Sequence, residues 1–244
     1  MIGIVVVSHS PALAQAAVDL ALEMVGESPP PIAIAAGAGE GVIGTDATKV
    51  ATAIDAVASA DGVLVFMDLG SAVLSATLAL EFIATKFDVR LSDAPFVEGI
   101  IAAVVLAAAG AGLDETAREA RDAMDAKRGQ LAQDRPMPAP DGRPVEVDAP
   151  AGAVSSDVRL VNPDGLHSRP AAAVVKAVSN FQAQVTIADV TTGRGPVAGN
   201  SLIGIMSLGA TTGSVVRIAA TGPQAAEAVA ALTAMAKEGF GELS

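Results

Sequence analysis

The first half of the chain alternates short apolar runs with segments that begin like helices. Apolar runs at residues 2–7, Ile32–Ala36 and 62–67 are typical of buried strands. A helical segment follows each run, the first two at 11–25 and at about 47–58. Strands that alternate with helices predict a doubly wound, mostly parallel α/β sheet. Ligand sites in such sheets form at the carboxyl ends of the strands.

The second half alternates differently and predicts a separate, smaller fold. Its predicted strands lie at 158–161, 183–190 and 215–219, and its predicted helices at 170–180, Leu202–Ser207 and 223–237. This order and spacing predict a C-terminal open-faced α/β sandwich.

A proline-rich segment separates the two halves. Residues 131–155 contain five prolines and show no periodic apolar pattern, which is typical of a linker that proline partly stiffens. The charge changes across this segment, because residues 1–130 hold 17 acidic and 7 basic side chains whereas residues 156–244 hold six of each. The sequence therefore predicts a first domain at 1–130, a linker at 131–155 and a second domain at 156–244.

Composition excludes several classes of protein. The net charge of −12 argues against nucleic-acid binding, which needs a basic face. Without cysteine the chain has no disulfides or thiolate sites, and two histidines alone rarely bind a metal, so we expect no metal and no cofactor. No signal-peptide pattern is present, and the longest uncharged apolar run, 99–113, is shorter than the ~20 residues of a membrane-spanning helix. We therefore expect a cytoplasmic protein that does not enter a membrane.

The two histidines are the chain's only candidates for a histidine or thiol nucleophile. His9 follows the first predicted strand in the segment Ser8-His9-Ser10-Pro11, where a helix begins. An imidazole can accept a phosphoryl group and pass it on, and the unpaired N–H groups of a helix start favour an anion. The alternative is that His9 is only a polar residue that closes a strand–helix turn.

The segment after the third strand supplies partners for His9. Asp68 is the candidate to accept an N–H from the His9 ring. The backbone N–H groups of Gly70, Ser71 and Ala72, with the Ser71 hydroxyl, are candidates to bind phosphate oxygens. Asp68 as the N-cap of the next helix is an alternative that is compatible with the first role.

The glycine-rich segment 37–46 follows the second strand. It resembles a phosphate cradle, although its spacing is not that of a Walker motif. A mobile loop that glycine permits is the alternative.

His167 lies in a second helix-start loop, Gly165-Leu166-His167-Ser168-Arg169-Pro170. Arg169 offers a planar fork of donors to a phosphate, and Ser168 is a further supporting candidate at the same helix start. Gly165 permits a tight bend before the histidine. Arg169 as a solvated surface charge is the alternative.

The segment Gly204-Ile205-Met206-Ser207-Leu208-Gly209 is apolar and rich in small residues. Both core packing of a short helix and an exposed docking surface, with methionine as an adaptable contact, remain open.

Residues 164–172 and 199–213 resemble HPr, the phosphocarrier of the bacterial phosphoenolpyruvate-dependent phosphotransferase system, and the similarity covers 156–244. The resemblance implies that His167 is phosphorylated and that Arg169 binds the phosphate. Ser201 occupies the place of a regulatory serine that some members carry, but Asn200 stands where a lysine often precedes it.

Residues 1–130 resemble mannose-family enzyme IIA domains and, more closely, the phosphotransfer subunits of dihydroxyacetone kinase. The similarity lies in residues 4–11, 41–45, 68–72 and 94–99. It implies that His9 is phosphorylated and that the N-terminal domain forms a homodimer.

Together the two resemblances imply a relay from phosphoenolpyruvate through enzyme I to His167 and then to His9. From there the phosphoryl group passes to ADP on the nucleotide-binding kinase subunit and to dihydroxyacetone on the substrate-binding subunit. No enzyme I segment follows Ser244, so a separate enzyme I is expected. An enzyme IIA–HPr fusion that feeds a mannose-family sugar permease is the main alternative, and a regulatory module that reports phosphorylation is another.

Overall fold

The computed structural model describes residues 1–26, 28–133 and 152–242. Contacts between residues divide the chain into two compact units, Met1–Met124 and Asp125–Ser244. Each unit has a sheet and a core of its own.

The first unit is built on a four-stranded parallel sheet in the order β2-β1-β3-β4. Its strands are β1 (Gly3–Ser8), β2 (Ile32–Ala36), β3 (Val63–Met67) and β4 (Val89–Leu91). Its helices are α1 (Pro11–Leu22), α2 (Ala47–Val57), α3 (Gly70–Ala79), α4 (Phe96–Ala108) and α5 (Leu113–Arg121), and α6 (Met124–Gln133) begins at the division between the units.

Helices cover both faces of this sheet. Val5 and Val65 point to one face and pack with residues of α2 and α3, whereas α1 and α4 contact each other on the opposite face. On that face Gly99 of α4 lies so close to the Phe66 ring that an added Cβ would be 3.2 Å from it. A central strand covered on both sides must be apolar throughout, and every residue of β1 is buried. The predicted doubly wound parallel sheet is confirmed.

Predicted and observed elements agree best where the apolar pattern is short and bounded. β2 has the predicted bounds, and β3 and α2 differ from theirs by one residue at one end. β4, α4 and α5 were not predicted as elements. α4 begins three residues before the apolar run 99–113 and ends inside it. Because this helix is buried around most of its circumference, its sequence carries little 3.6-residue periodicity.

The second unit contains an antiparallel sheet in the order β5-β8-β6-β7. Its strands are β5 (Val154–Arg159), β6 (Gln184–Asp189), β7 (Arg194–Ala198) and β8 (Val215–Thr221). Its helices are α7 (Ser168–Val178), α8 (Leu202–Ser207) and α9 (Ala225–Lys237), and a short 3-10 helix at Gly239–Gly241 follows α9.

Helices cover one face of the antiparallel sheet. Val216 and Ile218 of β8 are buried, and α9 contacts β5, β6 and β8. On the other face Arg217 of β8 pairs with Asp157 of β5, with Nε and Oδ1 2.7 Å apart and both side chains partly exposed. A charged cross-strand pair is at home on a solvated face. The predicted open-faced α/β sandwich is confirmed.

Two strands of this unit differ from the sequence prediction by more than two residues or were not predicted. β5 begins at Val154 and not at the predicted residue 158. The sequence pattern did not reveal its first residues because they are mostly exposed and show no apolar alternation. β7 was not predicted; it is an edge strand that contains Gly195 and Pro196, residues that sequence patterns associate with turns.

The predicted linker overlaps observed elements at both of its ends. α6 continues to Gln133, past the predicted domain end at 130, and β5 begins within 131–155. The apolar residues of α6 do not gather on one face, so periodicity could not reveal this helix. The rest of the proposed linker, 134–151, lies outside the described residues. Within the described part of the chain, no helix is long and apolar enough to cross a membrane.

Candidate phosphohistidine sites

His9 lies directly after β1, and Asp68 lies directly after β3. Because these strands are parallel neighbours, their carboxyl ends meet at one edge of the sheet. Asp68 Oδ1 lies 2.9 Å from His9 Nδ1, and Asp68 Oδ2 accepts hydrogen bonds from the His9 backbone N–H at 2.9 Å and the Ser8 hydroxyl at 2.8 Å. One carboxylate therefore holds both the ring and the backbone of His9.

Ser71 contacts the other nitrogen of the same ring. Its Oγ lies 2.8 Å from His9 Nε2. An ionised Asp68 can only accept hydrogen bonds, so it selects the tautomer with a proton on Nδ1. Nε2 then carries the lone pair and accepts a hydrogen bond from the Ser71 hydroxyl. This geometry leaves the lone pair of the His9 ring on Nε2.

The Asp68 carboxyl stays ionised despite its burial. Its side chain is only 6% exposed, and this burial alone raises its pKa. The hydrogen bonds from the His9 backbone, the His9 ring and the Ser8 hydroxyl together outweigh burial, so the pKa of Asp68 lies below its ordinary value. A negative charge beside Nδ1 stabilises a positively charged ring.

The start of α3 differs in two respects from the sequence prediction. Leu69, not Asp68, is the N-cap of α3, so the N-cap interpretation of Asp68 is wrong: its two oxygens bind residues 8 and 9 instead. The Ala72 N–H donates to Leu69 O at 2.9 Å, and it can bind phosphate only if this bond breaks. The N–H groups of Gly70 and Ser71 lie at the first two positions of the helix, where a helix leaves its donors without intrahelical acceptors.

The glycine-rich segment 37–46 folds against His9 through its backbone. The Gly44 N–H donates to His9 O at 3.1 Å, and the Gly37 N–H donates to Ser8 O at 3.1 Å. Lys49 Nζ in turn donates to Gly37 O at 3.2 Å. The segment supports the His9 backbone, and its role as a phosphate cradle stays a prediction.

The two segments that contact His9 through Gly44 and Ser71 carry exposed apolar side chains. Ile43 of the glycine-rich segment is 79% exposed, and Leu69 beside Asp68 is 61% exposed. Val42 and, on α3, Val73 and Leu74 are exposed as well. We call these five residues the apolar rim. Exposed apolar side chains that adjoin one another favour contact with another protein surface.

His167 is the N-cap of α7 and follows a tight bend. Gly165 has a φ of +66°, and a Cβ at this position would lie 2.1 Å from Ala210 O. The bend therefore requires glycine both for its backbone conformation and for its close approach to the neighbouring segment. It presents His167 beside the first N–H groups of α7, those of Ser168 and Arg169.

A carboxylate that the sequence did not predict faces His167. Glu242 follows the 3-10 helix, and its Oε1 lies 2.8 Å from His167 Nε2. The Glu242 side chain is 15% exposed and that of His167 36% exposed. Glu242 Oε2 accepts a hydrogen bond from Asn162 Nδ2 at 3.0 Å. In contrast to His9, the ring nitrogen that meets a carboxylate here is Nε2.

The two family models that match the chain describe components of the phosphotransferase system. "PTS system fructose IIA component" matches residues 3–117, and "PTS HPr component phosphorylation site" matches residues 154–238. These ranges contain His9 and His167, respectively.

Curated relatives combine or separate the same two parts. The phosphoryl donor subunit DhaM of PEP-dependent dihydroxyacetone kinase from Klebsiella michiganensis is 42% identical over 248 residues, which cover 99% of this chain and 51% of the relative. The corresponding subunit of kinase 2 from Listeria innocua is 38% identical over 107 residues, which cover 43% of this chain and 85% of the relative. Phosphocarrier protein HPr of Vibrio cholerae is 42% identical over 78 residues, or 32% of this chain and 88% of HPr.

The chain belongs to the DhaM family. It spans about half the length of the full-length DhaM relatives that it matches end to end. The resemblance to enzyme IIA and HPr domains that the sequence motifs indicated is confirmed.

The remaining predicted residues of the DhaM-family chain lie in the second unit. Arg169 is exposed in the first turn of α7, beside Ser168, and their phosphate-binding roles stay predictions. Ser201 is the N-cap of α8, and its Oγ accepts a hydrogen bond from the Gly204 N–H at 2.9 Å. The hydroxyl thus has a structural partner, and regulation through Ser201 stays a prediction.

Some residues of the segment 204–209 are buried and others are partly exposed, so the segment bears on both interpretations that the sequence left open, core packing and a docking surface. Ile205 and Leu208 are buried, which fits core packing, whereas Met206 is partly exposed. Its core contribution is therefore evident, and its role as a docking surface stays a prediction.

The sequence prediction assigned no role to two residues of the His167 site, Asn162 and Glu242. They differ in how far the sequence could have indicated them. Asn162 lies three residues before Gly165, and only its full burial reveals a structural role. Glu242 lies far along the chain and reaches His167 through the fold of α9 and the 3-10 helix. No sequence spacing connects Glu242 with His167.

Proposed function

We propose that this DhaM-family chain is a phosphoryl carrier that passes phosphate from enzyme I through His167 to His9. From His9 the group goes to ADP on the nucleotide-binding subunit of dihydroxyacetone kinase, which then phosphorylates dihydroxyacetone bound to the substrate-binding subunit. The main support is the opposite arrangement of the two rings. A carboxylate meets Nδ1 of His9 but Nε2 of His167, so each ring has a different nitrogen available to attack.

The first step loads His167. With a proton held on Nε2 beside Glu242, the lone pair of Nδ1 attacks the phosphorus carried by enzyme I. The new bond joins Nδ1 to phosphorus, and the bond from phosphorus to its donor atom on enzyme I breaks. In this proposal the N–H groups at the α7 start and the guanidinium of Arg169 stabilise the phosphate charge.

The second step moves the group to His9. His9 Nε2 attacks the phosphorus on His167, and the bond between Nδ1 of His167 and phosphorus breaks. The Ser71 hydroxyl, which bonds to Nε2 in the unphosphorylated site, is free to turn toward a phosphate oxygen. Asp68 remains ionised beside Nδ1 and offsets the positive charge of the phosphorylated ring.

The third step leaves the chain. A terminal phosphate oxygen of ADP attacks the phosphorus on His9, the bond to Nε2 breaks and ATP forms on the kinase. Catalysis in each step consists mainly of orientation and charge stabilisation. Within the chain the carrier therefore needs only the two positioned histidines and the groups around them.

The proposed partners fit the surface around His9. The apolar rim lies on the two segments that contact His9, and exposed apolar side chains there suit a surface that receives one protein after another. We further propose that the N-terminal unit forms a homodimer and that the relay operates in the cytoplasm, because these properties accompany the resemblance to enzyme IIA domains. The domain division 1–130, 131–155 and 156–244 belongs to the same proposal.

A sugar permease is the second candidate for the final acceptor. The description of the family model that matches residues 3–117 as a IIA component supports it. The relatives that align with 99% of the chain are donor subunits of dihydroxyacetone kinase, and they favour the kinase.

Reconstitution with labelled phosphoenolpyruvate tests the proposal. The full chain is mixed with enzyme I, both kinase subunits, ADP and dihydroxyacetone, and the label is followed in protein and product. We expect label in dihydroxyacetone phosphate from the native chain. In His9→Ala we expect the label to remain on His167. In His167→Ala we expect no loading of the chain by enzyme I, and we expect separately added HPr to restore label transfer to His9.

Two results would contradict the proposal. A His9→Ala chain that still delivers label to dihydroxyacetone would show that His9 is not the donor. Label that reaches a hexose only when a mannose-family permease is supplied, and never reaches dihydroxyacetone, would favour the permease.

A further inference from the structure

We propose that Asn162 is a positioning residue whose buried amide holds Glu242 against His167 Nε2 and thereby keeps Nδ1 of the ring available for phosphoryl transfer. This inference rests on the proposed function of His167. Asn162 and Glu242 both lie outside the HPr-like segments 164–172 and 199–213, so the resemblance assigns neither of them a role in that reaction.

The Asn162 amide connects the loop before His167 with Glu242. Its Nδ2 donates to Gly165 O at 2.6 Å and to Glu242 Oε2 at 3.0 Å. Both neighbours are acceptors only, so the amide nitrogen, with its two hydrogens, must face them. Gly165 O also accepts the His167 N–H at 3.0 Å. Asn162 therefore contacts the backbone that carries the ring and the carboxylate that faces it.

The orientation of Asn162 leaves one of its own atoms without a partner. Its side chain is fully buried, and among the described residues its Oδ1 has no hydrogen-bond donor. A buried polar atom without a partner is unfavourable and calls for an explanation. The explanation is that the two hydrogen bonds of Nδ2, to Gly165 O and to Glu242 Oε2, offset the cost of the unpaired Oδ1. Only the Nδ2 side of the amide can bind both acceptors.

The chain takes an unusual path to bring Glu242 to this place. Gly239, Phe240 and Gly241 have φ values of 65°, 54° and 82°, so three consecutive residues adopt the left-handed region. This conformation is unfavourable for a phenylalanine. This segment connects α9 to Glu242, whose two oxygens meet different partners: Oε1 the His167 ring and Oε2 the Asn162 amide.

These contacts select one tautomer of His167. An ionised carboxylate beside Nε2 favours the ring with its proton on Nε2, which leaves the lone pair on Nδ1. If Glu242 could rotate away, both tautomers of the neutral ring would be populated. Asn162 opposes that rotation by holding Oε2, so its effect on His167 passes through Glu242.

Ring nitrogen NMR of the full chain tests this inference without any phosphoryl donor. Only two histidines contribute signals, and His9→Gln assigns them. At about pH 8.5, where an ordinary histidine ring is neutral, we expect the Nε2-protonated tautomer to predominate at His167. In Asn162→Ala and in Glu242→Gln we expect this fraction to fall clearly. His9, held by Asp68, serves as the internal reference and does not change.

The rate of His167 phosphorylation provides a second measurement. With labelled phosphoenolpyruvate and enzyme I, we expect Asn162→Ala and Glu242→Gln each to slow loading about 10-fold. The double variant is expected to match Glu242→Gln within about twofold, because Asn162 acts through Glu242. The matched control is Asn180→Ala, which removes an exposed amide that donates to Lys176 O just after the other end of α7.

The outcomes separate the inference from the function on which it rests. A native tautomer fraction in folded Asn162→Ala would overturn the positioning role, as would a double variant with the multiplied effects of both changes. If native His167 accepts no label from enzyme I, the proposed function of His167 fails, and the tautomer measurement still decides whether Asn162 and Glu242 position the ring. Backbone amide spectra of each variant verify that the second unit remains folded. If Asn162→Ala does not fold, Asn162→Ser replaces it, because a single short hydroxyl cannot donate to both Gly165 O and Glu242 Oε2.

Discussion

At the scale of single residues, the two oxygens of Asp68 satisfy three donors. Oδ2 accepts from the Ser8 hydroxyl and from the His9 backbone, while Oδ1 meets the His9 ring. An asparagine has the same shape but only one acceptor oxygen. Whichever way its amide turns, an NH2 group faces at least one donor. Asp68 therefore contributes to the stability of the first unit as well as to the state of the ring.

Asp68→Asn is expected to lower the free energy of unfolding of the first unit by about 1–3 kcal/mol and to slow phosphorylation of His9 about 10- to 100-fold. The matched control is Asp55→Asn. Asp55 also accepts backbone N–H groups, from Ala84 at 2.9 Å and Thr85 at 2.8 Å. Denaturant unfolding and single-turnover transfer from phosphorylated HPr are the measurements. Equal transfer rates in the two variants would reduce Asp68 to a structural residue.

The lowered pKa of Asp68 predicts a pH dependence of stability. Its hydrogen bonds favour the charged form in the folded state, so its contribution is fully present above the unfolded pKa of about 4. That contribution is lost as the pH falls through the lower folded pKa. The difference in unfolding free energy between the native chain and Asp68→Asn should be constant near neutral pH and shrink in the acid range. A difference that grows on acidification contradicts the assigned sign.

The residues that could be predicted at this scale were those near a strand end or within one short motif. Asp68 was predicted as the partner of His9 because the carboxyl ends of neighbouring parallel strands meet. The same logic could not find Glu242, since its approach to His167 depends on left-handed backbone at 239–241 and not on strand order. The exact donor pattern also required coordinates, as the bond from Ala72 N–H to Leu69 O shows.

At the scale of elements, predictability follows how an element is buried. β1 and β3 are short, apolar and bounded by turn residues, and the sequence predicted both. α4 is buried on nearly all sides and β7 is a mostly exposed edge strand with proline, so neither shows the period of its own structure. The loop before α7 was predicted to bend at Gly165, and its φ of +66° agrees.

Gly165→Ala should damage the second unit far more than glycine's conformation alone explains. A Cβ would lie 2.1 Å from Ala210 O, so the loop must move, and we expect a loss of about 3 kcal/mol or more. Gly213→Ala is the matched control, because Gly213 has a φ of +85° with nothing within 4 Å of the added Cβ, and we expect about 1 kcal/mol there.

The chain has no Trp or Tyr, so far-UV circular dichroism and amide NMR signals of the second unit report this unfolding. Phosphorylation of His167 is measured in parallel, because Gly165 O accepts the His167 N–H. Similar losses of stability in the two variants would refute the steric explanation.

At the scale of the whole molecule, each unit contains a complete histidine site. His9 with Asp68 belongs to Met1–Met124, and His167 with Glu242 belongs to Asp125–Ser244. In the proposed relay, transfer from His167 to His9 therefore passes from one folded unit to the other. A covalent connection raises the effective concentration for that transfer to about the millimolar range when it is short and flexible.

The proposed linker, residues 131–155, is expected to provide reach and not recognition. It contains five prolines, and its composition shows no docking motif. Replacing residues 134–151 with a Gly/Ser segment of equal length, which leaves α6 and β5 intact, should preserve transfer from His167 to His9 within about threefold.

Cutting the segment should make the rate depend on protein concentration, whereas the intact chain should show the same rate at every dilution. Mixing His9→Ala with His167→Ala chains then reveals whether the group crosses between copies. Single-turnover decay of phosphorylated His167 is the measurement. A collapse of transfer with the equal-length Gly/Ser segment would contradict the reach-only role, since the replacement changes the side chains of the segment but leaves its length the same.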